Sequence, residues 1–177
     1  MPDPTFDALV ERHSAEIHAY LWRLLRDPEL ASDVLQDTFL RAWRAFPRLK
    51  HRDHLRAWLY TIATNRARSL QRAVAQREMS HARLSDELSD PRASVAAQAA
   101  DRDQRRRVLA AVDRLPAKQR QALVLRRYQE LGYDEIAAIM GGSVEAARAN
   151  VHLAQERLRL WLSDVDEGKA MGRRGQR

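Results

Sequence analysis

The chain has no cysteine, only six glycines and six prolines among its 177 residues, and just three lysines. Without cysteine it can hold no disulfide, no cysteine–zinc centre and no thiol redox sensor. Scarce glycine and proline leave little material for tight turns. Runs of β-branched residues are few, whereas Ala, Leu, Arg and Glu, all good helix formers, are abundant. No run of about 18 apolar residues occurs, and the N-terminus lacks a basic-then-apolar leader, so neither a membrane span nor a signal peptide is expected. The expectation is a cytoplasmic, all-α protein.

What is present is arginine. The chain has 28 Arg against three Lys, and a net charge of +7. A guanidinium fork bridges two phosphate oxygens, so this bias suits nucleic acid. Base composition of the gene accounts for part of the preference equally well, which makes distribution more telling than the total. Residues 52–77 hold six Arg and one Asp, and residues 102–127 hold nine basic and two acidic side chains. Between them, residues 78–101 hold two Arg against five Asp or Glu.

Apolar spacing places a first helix over Pro4–Arg26. Asp27 and Pro28 then supply a cap and first residue for a second helix that runs to Ala45. The polar loop "PRLKHRDH" leads to a third helix over Leu55–Gln76. Weak apolar periodicity marks residues 79–96 as linker. Further helices are expected near 97–114, 117–129, 133–140 and 144–162, divided by Pro116, Gly132 and Gly141-Gly142. The domains are therefore an N-terminal bundle over 1–77, a flexible linker over 78–100, a C-terminal bundle over 101–163, and a disordered basic tail over 164–177.

Three stretches carry chemistry. On the second helix Ala31, Leu35, Thr38, Phe39 and Ala42 share a core face, while Asp33, Gln36, Asp37, Leu40 and Arg44 lie opposite. One exposed Leu is usually meaningless, but an apolar anchor ringed by polar groups also resembles a small protein-docking patch. On the third helix Trp58, Tyr60, Asn65, Arg66, Arg68 and Arg72 combine rings with guanidiniums, as single-stranded nucleic acid requires. The alternative is two core aromatics on a solvated basic helix. In "YDEIAAIMGGSVEAARANVHLAQERLR" the glycine pair permits a sharp turn and Ser143 can cap the next helix. That turn leaves Glu145, Arg148, Ala149, His152 and Arg159 outward, as in a helix-turn-helix. A plain helical hairpin fits the same pattern.

No catalytic constellation appears, so no enzyme, cofactor or small-molecule substrate is expected. His51, His54 and Asp53 lack a fourth metal ligand.

In their order, these stretches resemble the extracytoplasmic-function class of bacterial RNA polymerase sigma factors. "ASDVLQDTFLRAWRAF" is similar to that family's polymerase-clamp-binding helix and "LRAWLYTIATNRARSLQR" to its promoter-melting segment. "LPAKQRQALVLRRYQELGYDEIAAIMGGSVEAARANVHLAQERLR" is similar to its upstream-element reader. The matches span about 110 residues, and the acidic spacer falls where the family has its interdomain linker.

The resemblance implies docking on core RNA polymerase (clamp of β′, flap of β) through Asp33, Gln36, Asp37, Leu40 and Arg44. It implies that Arg52, Asp53, His54, Trp58, Tyr60, Asn65, Arg66 and Arg68 hold the melted −10 element. Arg126, Ser143, Glu145, Arg148, Ala149, Asn150 and His152 would face the −35 element. Promoter DNA and an anti-sigma factor are the implied partners, and the latter could hold the chain at the membrane without insertion. Two departures stand out. Asn150, Leu153 and Gln155 stand where many relatives carry basic residues, and Ser69 replaces a frequent Asp or Asn. With so thin a recognition helix, phosphate affinity is expected from Arg105–Arg107, Lys118, Arg120, Arg126 and Arg127. A flexible linker of about 20 residues spans roughly 22–27 Å and reaches about 65 Å when extended. One DNA turn is about 34–36 Å, so the bundles can straddle two elements. Two rivals are a stand-alone helix-turn-helix repressor and a helical adaptor that has lost DNA binding.

Overall fold

The computed structural model describes residues 5–50, 52–81 and 99–172, and these form seven α-helices with no strand. Helix α1 (Phe6–Leu25) starts where the Thr5 hydroxyl accepts the Ala8 N–H at 3.3 Å. It ends at Arg26, whose left-handed φ of 59° turns the chain back. Asp27 then caps α2 (Pro28–Ala45) by accepting from the N–H groups of Glu29 and Leu30 at 2.9 and 3.0 Å. Proline at the first helical position has no N–H to lose, so two residues suffice to reverse direction. A single 3-10 turn, Phe46–Arg48, absorbs Pro47 before α3 (Leu55–His81).

Helices α4 (Ala99–Asp113), α5 (Ala117–Tyr128), α6 (Tyr133–Met140) and α7 (Val144–Gly172) make the second bundle. Two helices overrun their expected ends. Neither Gly nor Pro occurs between Leu55 and His81 or between Val144 and Glu167, so nothing in those stretches stops propagation, and α7 runs on through Gly168 to Gly172. The expected linker otherwise falls at 82–98, outside the described residues, as do tail residues 173–177.

The first bundle buries Leu9, Ile17, Leu21 and Leu24 of α1 against Ala31, Val34 and Ala42 of α2 and Leu59, Ala63 and Ala67 of α3. The second buries Val124, Leu125, Ile136, Ile139, Ala147 and Val151. The linker reading implied bundles free to separate, but here they share one continuous apolar cluster, with α3 packed along α6 and α1 against α5. The physical reason is size. A helical unit of about 60 residues buries only about 60% of its unfolded surface, and an unpaired apolar face drives association.

Glu16 of α1 ties this arrangement electrostatically. Its carboxylate accepts two parallel bonds from Arg56 (Nε–Oε1 3.1 Å, Nη2–Oε2 2.8 Å) and one from His13 Nδ1 at 2.6 Å. Arg56 Nη2 also donates to the Gln129 carbonyl of the second bundle at 3.2 Å. Burial acts to raise the Glu16 pKa, but the hydrogen bonds from Arg56 and His13 outweigh it and hold the carboxyl below its usual range. A depressed folded-state pKa gives stability that is present above the unfolded value and lost as pH falls through the folded one. The Glu16→Gln variant should therefore melt lower than the parent near neutral pH. Thermal melts should show that deficit shrinking between about pH 5 and pH 3; a deficit constant across that range would refute the assignment.

Candidate nucleic-acid interface

The outward face of α2 is as the spacing implies. Asp33, Gln36, Leu40 and Arg44 are exposed, Leu40 by 45%, while Ala31, Val34, Thr38 and Ala42 are buried. Asp37 is not free. It accepts from Arg41 Nε at 3.1 Å and is ion-paired with Arg66 of α3. Trp43, 60% exposed, extends the apolar anchor beside Leu40 and was missed by the sequence reading. Its signal was available, because Trp43 stands seven residues after Gln36 and three after Leu40 on the same helical face. Arg41, Arg44 and Arg48 rim a hollow next to it.

Loop residues Asp53 and His54 are exposed, and the Arg52 guanidinium lies 4.4 Å from the centroid of the Phe46 ring. His51 falls outside the described residues. On α3, Asn65 is exposed, but besides Arg66 three further expected DNA contacts are otherwise engaged. Trp58 is half-buried with its ring 6.5 Å from Phe46, so it serves the core in part. Tyr60 is fully buried. Its ring meets Tyr20 edge-on at 5.2 Å and its hydroxyl donates to Gln129 Oε1 at 2.7 Å. Burial raises both phenols, which stay neutral at ordinary pH. Arg68 Nε donates to Gln121 Oε1 at 2.8 Å and its Nη1 to the Met140 carbonyl at 3.3 Å. Tyr60 and Arg68 therefore contact the second bundle here, correcting the expectation of an open aromatic and basic face. The glutamines that hold them, Gln121 and Gln129, carried no sequence signal, since a buried Gln reads as polar surface.

The glycine pair forms the turn of a helix-turn-helix. Gly141 adopts a left-handed φ of 67°, and the N–H groups of Gly141 and Gly142 return to the carbonyls of Ala138 and Ala137 at 3.3 and 3.0 Å. Ser143 Oγ accepts the Ala146 N–H at 3.1 Å, capping α7. Glu145, Arg148, Ala149 and His152 are exposed. Hydrogen bonds from its own N–H and the Ser143 hydroxyl keep the Glu145 carboxyl below its usual range. Tyr133 orders two arginines at once, with the guanidiniums of Arg126 and Arg148 at 4.9 and 5.3 Å from its ring centroid. Arg126 also donates to the Leu131 carbonyl at 2.9 Å. Asn150 departs from the outward set. Its amide donates to the Ala146 carbonyl at 2.7 Å, and it lines a small hollow with Arg68 and Lys118.

One bundle thus presents an exposed apolar anchor, and the other an exposed, capped helix after a tight turn. The sequence model of sigma-70 region 2 matches residues 9–77, and that of sigma-70 region 4 matches residues 105–158. The chain is 34% identical over 161 residues to RNA polymerase sigma factor CarQ of Myxococcus xanthus, covering 91% of each. It belongs to the extracytoplasmic-function RNA polymerase sigma factors. It is 28% identical to the sigma factor SigE of Mycolicibacterium smegmatis, over 90% of this chain and 62% of that one. Sigma factor RpoE of Bartonella quintana, solved with the anti-sigma factor NepR, shares the fold. Its TM-score is 0.71 at 24% identity, over 89% of this chain and 96% of that one. The protein is thus a transcription initiation factor carrying both promoter-recognition regions of its family, and its turn geometry can be tested directly. A Cβ at Gly141 would meet nothing within 4 Å, so any cost of Gly141→Ala is conformational. Left-handed backbone costs an L-residue roughly 1–2 kcal/mol. Denaturant melts should show that loss for Gly141→Ala. Gly142→Ala, whose Cβ would lie 4.0 Å from that of Ala146, should stay within about 0.5 kcal/mol of the parent.

Proposed function

We propose that this sigma factor docks on the clamp of core RNA polymerase through the α2 face of Asp33, Gln36, Leu40, Trp43 and Arg44. The carrying observation is the exposed Leu40–Trp43 pair within a polar ring. Such a centre is what a docking surface buries, and the charges around it set orientation. Asp37 belongs to the same face and would exchange its arginine partners on docking. The loop Arg52–His54 with Trp58, Asn65 and Arg66 holds the melted −10 strand, joined by Tyr60 and Arg68 once the second bundle moves. Extruding a base costs a few kcal/mol, which polymerase binding helps to offset. The outer face of α7 (Glu145, Arg148, Ala149, His152) lies in the major groove of the −35 element. Ser143 caps its start, Arg126 adds positive charge beside it, and the β flap takes the same bundle.

The factor acts in the cytoplasm, where polymerase is, and its control falls to an anti-sigma factor, free or at the membrane. Among the described residues no helix is long and apolar enough to cross a membrane. No step in this scheme needs a cofactor, a metal or a small-molecule substrate.

Run-off transcription with purified core polymerase is the primary test. The chain should direct starts that core alone does not make, whereas a stand-alone repressor would bind DNA without core and an adaptor not at all. Leu40→Arg should weaken core binding more than tenfold, a loss above about 1.4 kcal/mol, with an unchanged melting temperature. A large stability loss with binding retained would place Leu40 in the core instead.

Sequence readout divides between two groups. A bidentate base contact supplies about 1–3 kcal/mol of discrimination, whereas phosphate contacts act evenly on all sequences. Arg148→Ala should narrow the gap between a cognate and an altered −35 element. Replacing Arg105, Arg106 and Arg107 with Gln should weaken both and preserve their ratio. Asn150→Ala should leave the selected −35 motif unchanged, since its amide is bonded within α7; a changed motif would make Asn150 a base reader.

A further inference from the structure

We infer that the cavity lined by the ends of α1 and α4 and by α3 and α5 is a binding site for a small apolar acid, a medium-chain alkyl carboxylate. The inference goes beyond the promoter role and does not rest on it, since no residue proposed to meet polymerase or DNA lines this cavity. Its volume of about 450 Å³ lies in the range of small-molecule pockets. The lining is mainly aliphatic and reachable. Leu24 is buried, Leu30 and Leu70 are half-buried, and Val74 is 38% exposed. Such a wall in water favours whatever apolar chain covers it.

The charged groups of the same lining are out of balance. Two guanidiniums, Arg26 and Arg120, share one carboxylate, Asp113. Arg26, held by the left-handed φ of 59° that ends α1, donates from Nε to Asp113 Oδ1 at 3.0 Å. Arg120 Nη1 stands 3.8 Å from that oxygen and donates to the Asp113 carbonyl at 3.2 Å. Nη1 is the only nitrogen of this guanidinium with an acceptor among the described residues, and Nε is buried without one. Burial pulls the Arg120 pKa below its ordinary value; Asp113 offsets this only in part, and Arg26 adds to the fall. A guanidinium so short of acceptors gains from a second carboxylate, which its planar fork takes through charge-assisted bonds. Arg120, which the sequence suggested as a phosphate contact, thus lines a cavity with one positive charge to spare. An alkyl monocarboxylate matches both the charge and the wall. A sugar would set its hydroxyls against leucine, where they find no partner.

The test is calorimetric titration of the full chain with decanoate at neutral pH, below its micelle concentration. Saturable one-to-one binding is expected, with a raised melting temperature, because the ligand binds only the folded chain. Hexanoate should bind at least about tenfold more weakly, since each missing methylene forfeits apolar burial. Decan-1-ol, with the same tail and no charge, should also bind at least about tenfold more weakly. Arg120→Gln should weaken decanoate by a similar factor and leave decan-1-ol unchanged, a split that general unfolding would not produce. Val74→Asp sets a carboxylate in the cavity at an exposed position, so it should abolish decanoate binding at unchanged helicity. A folded parent that neither binds decanoate nor melts higher with it would overturn the inference. Equal affinity for decanoate and decan-1-ol would also overturn it, leaving a merely apolar surface. Parent-like affinity in folded Val74→Asp would put the ligand elsewhere and be equally fatal.

Discussion

Every feature of this molecule is constrained by the two-sidedness of α3. One side, through Leu59, Ala63 and Ala67, closes the first bundle against α1 and α2. The other side carries Tyr60 and Arg68, and α6, Gln121 of α5 and Gln129 cover it. A helix with apolar or stacking residues on both sides cannot be satisfied by a three-helix unit in water. Something has to cover the second side, and the only candidates are the rest of the chain, a partner, or the bases of an opened promoter.

That constraint explains why arginines in this sigma factor are so often held by the protein itself. Arg66 is paired with Asp37, Arg68 with Gln121, and Arg126 with the Leu131 carbonyl, while Arg56 spans Glu16 and Gln129. A guanidinium has five donors in a fixed plane, so it can keep one partner and offer its remaining edge. Such contacts order the side chains in advance, which removes part of the conformational entropy cost of meeting any partner. Tyr133 does this for Arg126 and Arg148 together.

The helices were legible because their punctuation is strong. Asp27-Pro28 and Gly141-Gly142-Ser143 each act within three residues, and the structure uses them as caps and turn. The end at His81 was not legible, since no Gly or Pro marks a stop there, and α7 runs through Gly168 to Gly172 although glycine ordinarily weakens a helix. On α2 the outward face followed from helical angle alone, and Trp43 was readable by the same rule that found Leu40. The burial of Tyr60 and the engagement of Arg68 were not readable. They depend on Gln121 and Gln129, which lie 53 and 69 residues away in sequence, and single-sequence periodicity carries no information about pairing at that range.

The distinction between legible and illegible residues follows how far along the chain their partners lie. The exposed α2 anchor and the exposed outer face of α7 are built on one helix each and show in local spacing. A covered surface needs a second element, so its signature is split between distant segments. Tyr60 combines a ring that packs on Tyr20 with a hydroxyl that needs an acceptor. Gln129 supplies that acceptor across the two bundles. A phenylalanine there would bind the core at least as well, but it would strand the Gln129 amide in the packed state. The tyrosine therefore satisfies Gln129 where a phenylalanine could not.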